Sequence, residues 1–296
     1  MTDTPSPSTA DHPAIVAERT AVITGGASGI GLAAARTFAG KGLGVVLADV
    51  DGAALERAAA EVRAAARGGA GIRALQCDVS VAADLDRLRD LAFADADVAV
   101  LMNNAAVGGF SGEPWTGLDR WRRLVDVNLW GVVNGVQAFV PAMLATGAPG
   151  LVINTGSKQG LTNPPGAYAY NMAKAGVRTF TEALSYEFSR TPDCRLSAHL
   201  LIPGYTYTGM TSSSGKPVAE KPPSAWTAQQ VVDFMLTSLG RGDFYVLCPD
   251  NDVPRELDER RLQWTADDII ENRPALSRWR PQFKEAFETF IGQPRR

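Results

Sequence analysis

The sequence predicts an α/β fold: a doubly wound, seven-stranded parallel sheet in a single domain, followed by a helical extension. Three observations predict it. Short β-branched runs alternate with Ala- and Leu-rich segments of helical period, which is the rhythm of βαβ units. Those runs are apolar almost throughout, as strands covered by helices on both faces must be. The first run leads into a glycine-rich turn that opens a helix. A chain of 296 residues is long enough for one large domain of this kind and its core.

The strand runs are Thr20–Thr24, Val45–Asp49, Ile72–Cys77, Val98–Asn103, Leu151–Thr155, Leu196–Ile202 and Phe244–Cys248. Helical patterns lie between them over Ile30–Gly40, Ala53–Ala66, Leu118–Met143 and Tyr170–Ser189, and right-handed crossovers join successive parallel strands. Residues 1–17 read as a flexible tail, 18–250 as the sheet domain and 251–296 as the extension. In the extension Trp279, Phe283, Phe287 and Phe290 form an aromatic stripe at helical spacing, with Pro281 in its first turn. Such a stripe is expected to be buried, on its own domain, on a partner subunit or as a wall of the pocket. The stretch Thr206–Ser224 is rich in Ser, Gly, Pro and Lys and reads as a long loop of the kind that covers binding sites.

Composition narrows the function classes. Apolar residues make up 45% and charged residues 21%, and the net charge is −3, so no basic field calls for nucleic acid or an anionic membrane. No uninterrupted apolar run reaches the roughly 18 residues of a membrane helix; Leu129–Leu144 is broken by Asn134, Gln137 and Pro141. Met1–Pro13 has neither the basic nor the apolar region of a signal peptide. Cys77, Cys194 and Cys248 show no CxxC spacing, which predicts no disulfide framework and a cytoplasmic location. With only His12 and His199, no metal site is expected; His199, inside an apolar run, reads as a core residue.

The first strand runs into Thr24-Gly25-Gly26-Ala27-Ser28-Gly29-Ile30-Gly31. Gly25 permits the tight turn, Gly29 lets a pyrophosphate approach the backbone, and Gly31 lets the helix pack closely on the sheet. The helix start at Ser28, Gly29 and Ile30 offers free N–H groups and a positive dipole to phosphate. No Gly-Lys-Ser/Thr follows, so this is not a P-loop. Asp49 ends the second strand, where a carboxylate can accept both ribose hydroxyls of an adenosine and would repel a 2′-phosphate. The glycine string carries no Lys or Arg, and Val50 follows Asp49, so NAD is preferred over NADP. Asp78-Val79, after the third strand, sits at the same sheet edge, within reach of an adenine.

Tyr170 and Lys174 are four apart in a helical stretch and share one face. An ammonium near a phenol favours the phenolate and lowers a pKa that is ordinarily near 10, which suits proton transfer near neutral pH. Ser157 lies just after the fifth strand, where its hydroxyl can hold a substrate oxygen beside the phenol. Asn128 stands mid-helix among apolar neighbours, an unfavourable place for Asn that calls for a specific partner.

Together these motifs resemble the short-chain dehydrogenase/reductase family. The match comprises Thr24–Gly31, Asp78-Val79, Asn103-Asn104-Ala105-Ala106, Asn128, Ser157, Tyr170-x3-Lys174 and Pro203-Gly204, in the family's order and spacing, over about Thr20 to Cys248. The resemblance implies a Rossmann-fold oxidoreductase with an Asn-Ser-Tyr-Lys tetrad. It makes Tyr170 the general acid/base and Ser157 the group that orients the substrate oxygen. Lys174 would lower the Tyr170 pKa and bind the nicotinamide ribose, and Asn128 would hold a water linking Lys174 to solvent. It also implies that Asn104 lines the cofactor site, that Thr206 and Thr208 contact the nicotinamide carboxamide, and that subunits pair into a dimer or tetramer. Two departures stand out: Ala106 replaces the usual glycine, and the chain continues well past Cys248.

The expected function is hydride transfer between NAD and a secondary alcohol or ketone. Phe110, Trp115, Pro164, Tyr205 and Met210 are candidate walls for an apolar, cyclic or aromatic substrate, and Gln159 could add a polar contact. The alternative is a catalytically silent NAD-binding sensor or scaffold on the same fold.

Overall fold

A computed structural model describes residues 11–109, 112–211 and 219–293. Seven parallel strands form one sheet: β1 (Thr20–Thr24), β2 (Gly44–Asp49), β3 (Ile72–Gln76), β4 (Val98–Asn103), β5 (Gly150–Thr155), β6 (Leu196–Ile202) and β9 (Tyr245–Leu247). Their spatial order is β3-β2-β1-β4-β5-β6-β9. The chain therefore winds outward from β1 to β3, then crosses back to β4 on the other side of β1. At such a reversal the connecting loops part to opposite faces, leaving a crevice at the carboxyl ends of the strands. Here it opens above β1 and β4.

The helices cover both faces. On one lie α1 (Gly29–Gly40), α2 (Gly52–Ala65) and α8 (Ala228–Gly240). On the other lie α3 (Ala82–Phe93), α5 (Gly131–Ala145) and α7 (Tyr168–Arg190). The strand residues alternate between the two layers, as a side-chain period of two requires. Ile23, Leu47, Met102 and Ile153 pack with Phe38, Val62 and Met235 on the first face. Val22, Val46, Leu101 and Val152 pack with Leu88, Phe139 and Met143 on the second.

α5 continues a helix that begins with α4 (Leu118–Val125) and passes through a π-helical turn at Asp126–Trp130. By length and composition Leu118–Ala145 could cross a membrane, but half of its apolar window is buried, and Val136, Phe139, Val140 and Met143 belong to the core under the sheet.

Three expected features differ. The tail predicted over 1–17 is packed from residue 11 onward: Ala14 and Ile15 are buried, and Asp11 pairs with Lys41 at 2.8 Å. Residues 1–10 lie outside the described residues. The stretch Thr206–Ser224 is not loop throughout. β7 (Thr206–Tyr207) pairs in parallel with β8 (Trp226–Thr227), and a 3-10 turn follows at Gly209–Thr211. Residues 212–218 lie outside the described residues. The aromatic stripe is not one helix either: two 3-10 turns, Ser277–Trp279 and Pro281–Phe283, precede α10 (Lys284–Ile291).

The extended break at Arg280, between the two 3-10 turns, leaves Trp279 exposed, while Phe287 is buried and Phe283 and Phe290 are half-buried. Phe287 and Phe290 meet Trp264 of α9 (Arg255–Ile270) edge-on, with ring centroids 5.4 and 5.1 Å away. Arg273 stacks on Trp264 at 4.0 Å and Arg260 on Phe290 at 3.6 Å. The extension thus carries its own aromatic-cation cluster.

Candidate active site

The crevice is a cavity of about 1250 Å³. Of the residues singled out from the sequence, Gly25, Ser28, Gly29, Ile30, Asp49, Asp78, Val79, Asn104, Ser157, Tyr170, Lys174, Thr206 and Thr208 all line it. Gly31 and Asn128 do not; they act on residues that do.

The glycine turn is built by close approaches. Gly25 and Gly29 have φ of +65° and +54°, the left-handed region where a side chain is strained. A Cβ on Gly25 would lie 2.8 Å from Ala105 Cα, and one on Gly31 would lie 2.2 Å from the Gly25 carbonyl oxygen. The Asn104 amide donates to the carbonyls of Thr24 and Gly25 at 3.1 and 3.3 Å, and Thr24 Oγ1 accepts from the N–H groups of Asn104 and Ala105 at 3.0 and 3.1 Å. These bonds hold the β1 turn against the end of β4. At α1 the Ser28 side chain makes no capping bond and the first turn has no acidic residue, whereas Asp51 caps α2. An uncapped helix start facing a cavity fits a phosphate group.

The Asp49 carboxylate accepts from the N–H groups of Ala27 at 3.0 Å and Asp51 at 3.2 Å. Asp78 turns its carboxylate onto the Ser80 N–H and hydroxyl, at 2.9 and 2.7 Å. Ala106 has no positive φ, so its methyl is accommodated without backbone strain.

At the other end of the cavity, α7 presents Tyr170 and Lys174. The Tyr170 hydroxyl is hydrogen-bonded to Ser157. Lys174 Nζ donates to the Thr155 carbonyl at 2.8 Å and lies 5.8 Å from the Tyr170 ring centre. The sequence predicts that Lys174 lowers the Tyr170 pKa. In the structure burial dominates and pushes the phenol up, and the Ser157 bond offsets only part of this. Burial also brings Lys174 down to about 8.

Asn128 is fully buried in the π-helical turn. Its Oδ1 accepts from the Val107 N–H and its Nδ2 donates to the Val107 carbonyl, both at 2.8 Å. The amide therefore clamps the segment that follows β4 along the cavity. That is the reason for an Asn at this mid-helix position, and a π-helical turn is a common companion of such a functional distortion.

Among the expected walls, Pro164, Tyr205, Met210 and Gln159 line the cavity. Trp115 does not: it is 81% exposed. Phe110 lies outside the described residues. His199 is a satisfied buried residue, as expected, with its ring nitrogens on the Asp243 carbonyl and Ser197 hydroxyl, each at 2.9 Å. Among the described residues no group of His, Cys, Asp and Glu could hold a metal ion.

Sequence reasoning missed Lys158. Its ammonium meets Asp250 at 3.2 Å and Asp258 at 2.5 Å, and both carboxylates are buried. The only local sign was a charged residue directly after Ser157 at a strand end. Its partners stand 92 and 100 positions further along the chain, beyond any periodicity.

A glycine turn at the reversal point of a parallel sheet, facing a Ser-Tyr-Lys cluster across one cavity, defines a Rossmann-type oxidoreductase. The short chain dehydrogenase family model matches residues 19–219, and the chain belongs to the short-chain dehydrogenase/reductase family. It is 37% identical over 231 residues to 1-deoxy-11-beta-hydroxypentalenate dehydrogenase of Streptomyces exfoliatus, covering 77% of this chain and 82% of that one. It is 33% identical over 190 residues to 3beta-hydroxysteroid dehydrogenase 1 of Eggerthella lenta, covering 63% and 70%. Among solved structures, a short-chain dehydrogenase/reductase from Burkholderia phymatum in complex with NAD superposes with a TM-score of 0.77 at 28% identity, covering 87% of this chain and 96% of that one. A short-chain dehydrogenase from Sphingobium yanoikuyae in complex with NADPH superposes with a TM-score of 0.70 at 27% identity, over 86% and 94%. The chain is an alcohol dehydrogenase or ketoreductase by family.

Proposed function

We propose that the chain interconverts a secondary alcohol and a ketone on an alicyclic small molecule, with Tyr170 as general acid/base and NAD as cofactor. The observation that carries this reading is the Tyr170–Ser157 hydrogen bond at the cavity wall beside the Lys174 ammonium. Ser157 and Tyr170 would share the substrate oxygen: Ser157 orients it, and Tyr170 Oη gives or takes its proton. A phenol kept protonated by burial is the form that donates, so ketone reduction runs at neutral pH. Alcohol oxidation needs the phenolate and speeds up as pH rises. A nicotinamide dinucleotide, when bound, supplies the acceptor or donor of the hydride.

The residues fit such a group. Gly25, Ser28, Gly29 and Ile30 would hold its pyrophosphate on the open start of α1, and Gly31 lets that turn close. Asp49 would hold the adenosine ribose, and Asp78 and Val79 would stand beside the adenine. Asn104, Tyr170, Lys174, Thr206 and Thr208 would surround the nicotinamide half. NAD is favoured because residues 25–31 and 49–51 carry no Lys or Arg, while the Asp49 carboxylate at the end of β2 would repel a 2′-phosphate. An alicyclic substrate is favoured by the apolar walls at Pro164 and Met210 and by the substrates for which relatives are named, a hydroxypentalenate and a 3beta-hydroxysteroid. Pairing of subunits through the α4–α5 and α7 helices is proposed on the exposure of Trp130 and Met172, each about half exposed.

The test is a panel of secondary alcohols, from cyclohexanol to 3β-hydroxysteroids, assayed with NAD and with NADP, for the natural chain and Tyr170→Phe. Loss of about 10²–10⁴-fold in turnover with unchanged NADH binding is expected. A variant that keeps most of its turnover removes Tyr170 from this role.

A further inference from the structure

The segment beyond the sheet does more than pack against itself. α9 sends one carboxylate, Asp258, under the catalytic edge, where it meets Lys158 Nζ at 2.5 Å. A second carboxylate, Asp250, reaches the same ammonium at 3.2 Å from the loop after β9. Asp258, Asp250 and Lys158 have side chains only 7%, 6% and 17% exposed. Arg261 stands 3.8 Å from the other Asp258 oxygen. Breaking one member of a buried pair leaves an uncompensated charge, so these contacts are held strongly in place.

The cluster touches both loops that shape the substrate end of the cavity. Lys158 directly follows Ser157 and opens the one-turn helix α6 (Gln159–Thr162). The Gln159 N–H donates to Ser157 Oγ at 3.2 Å, so the orientation of α6 sets the orientation of the serine hydroxyl. On the other side, Asp250 Oδ2 accepts from the Tyr205 N–H at 3.1 Å. A Cβ on Gly204 would lie 2.6 Å from that oxygen and 3.0 Å from Lys158 Nζ. The Pro203–Tyr205 turn therefore rests directly on the ion cluster, and a side chain at position 204 would have to displace the Asp250 carboxylate.

We infer that the C-terminal extension completes the active site through Asp258, which, together with Asp250 of the loop after β9, is a positioning residue acting through Lys158 on Ser157. This rests on the reading of Ser157 and Tyr170 as the catalytic pair. Asp258 touches no substrate. It fixes the ammonium, the ammonium fixes the start of α6, and α6 fixes the hydroxyl that bonds Tyr170. An appendage packed only through Trp264 and Phe287 would need no ion pair at the cavity.

Two measurements on the full chain test this. In Asp258→Asn, amide hydrogen exchange over residues 156–162 and 204–205 should speed up about tenfold, with α1 and α2 unchanged. With the best alcohol of the panel, kcat should fall about 10- to 100-fold while the NADH dissociation constant stays within twofold. In a Ser157→Ala background the same Asp258→Asn change should cost less than twofold more, because its route to the chemistry is gone. Unchanged exchange in the two loops overturns the inference, and so does an equal loss in both backgrounds. If Ser157→Ala alone leaves turnover intact, the catalytic reading fails instead, and the exchange result still decides the coupling. Should Asp258→Asn not fold, Lys158→Gln breaks the same contact from the other side with the same expected outcomes, and Lys158→Arg should restore most of the activity.

Discussion

Lys174 is 2% exposed, yet among the described residues its ammonium has one hydrogen-bond partner, the neutral Thr155 carbonyl. Burial brings its pKa from 10.5 to about 8. That gap corresponds to about 3 kcal/mol held against the charged form in the folded chain. Lys174→Met removes the charge and keeps the length of the side chain. Setting about 1 kcal/mol against it for the lost hydrogen bond, the variant should be about 2 kcal/mol more stable at pH 7, a rise of roughly 4–8 °C in Tm. The pH dependence has a definite sign. Between pH 8 and 10.5 the unfolded chain keeps a proton that the folded chain has released, so the natural chain gains stability as pH rises. The variant's advantage should be full below pH 8 and shrink by about 3 kcal/mol by pH 10.5. Thermal melts of both proteins at pH 7, 8, 9 and 10 measure the gap directly, and the comparison cancels the other titrating groups. A variant that melts lower at pH 7, or a gap that does not move with pH, would refute the reasoning. Turnover should be lost in the same variant, so the residue would be a case of stability given up for function.

Three further outcomes follow from the geometry. Gly31→Ala places a methyl 2.2 Å from the Gly25 oxygen and 2.7 Å from Asn104 Nδ2; a stability loss of about 1–3 kcal/mol and weakened NADH binding, read by fluorescence titration, are expected. Asn128→Ala strips both partners from the Val107 backbone and should cost about 2–4 kcal/mol in urea unfolding; Asn128→Asp should be worse, since it sets a carboxylate oxygen against the Val107 carbonyl. Asp49→Ser should raise the ratio of kcat/KM for NADP over NAD at least tenfold, about 1.4 kcal/mol, and an unchanged ratio would remove Asp49 from cofactor choice.

Much of this was legible in the chain. The seven strands of the main sheet lie where the β-branched runs predict, within a residue at each end, because the central strands are buried on both faces and are mostly apolar, while the edge strand β3 carries Arg73 and Gln76. The glycine turn was equally legible, since glycine meets the positive φ of Gly25 and Gly29 at least cost and the contact at Gly31 leaves no room for a Cβ. Tyr170 and Lys174 share a face by helical period alone. Sequence patterns failed where the deciding contact was distant. Asn128 was recognisable as misplaced, but its partner Val107 is fixed only once α4–α5 lies across the end of β4. The Tyr170 pKa was read from a neighbouring charge, whereas its direction comes from burial, which no local motif reports. The stripe from Trp279 to Phe290 obeyed helical spacing, but the 3-10 turns ending at Phe283 rotate Trp279 out to solvent.

Local chemistry, then, determined the order of elements, the phosphate-ready turn and the pairing of a phenol with an amine: each depends on residues within a few positions of one another, and the backbone's own periods report them. Tertiary structure alone decided how exposed those groups are and what the C-terminal segment touches. The Lys158 ammonium and the Asp258 carboxylate are 100 positions apart, and long-range Coulomb contacts of this kind leave no period in the sequence because they are created by the closing of the fold itself.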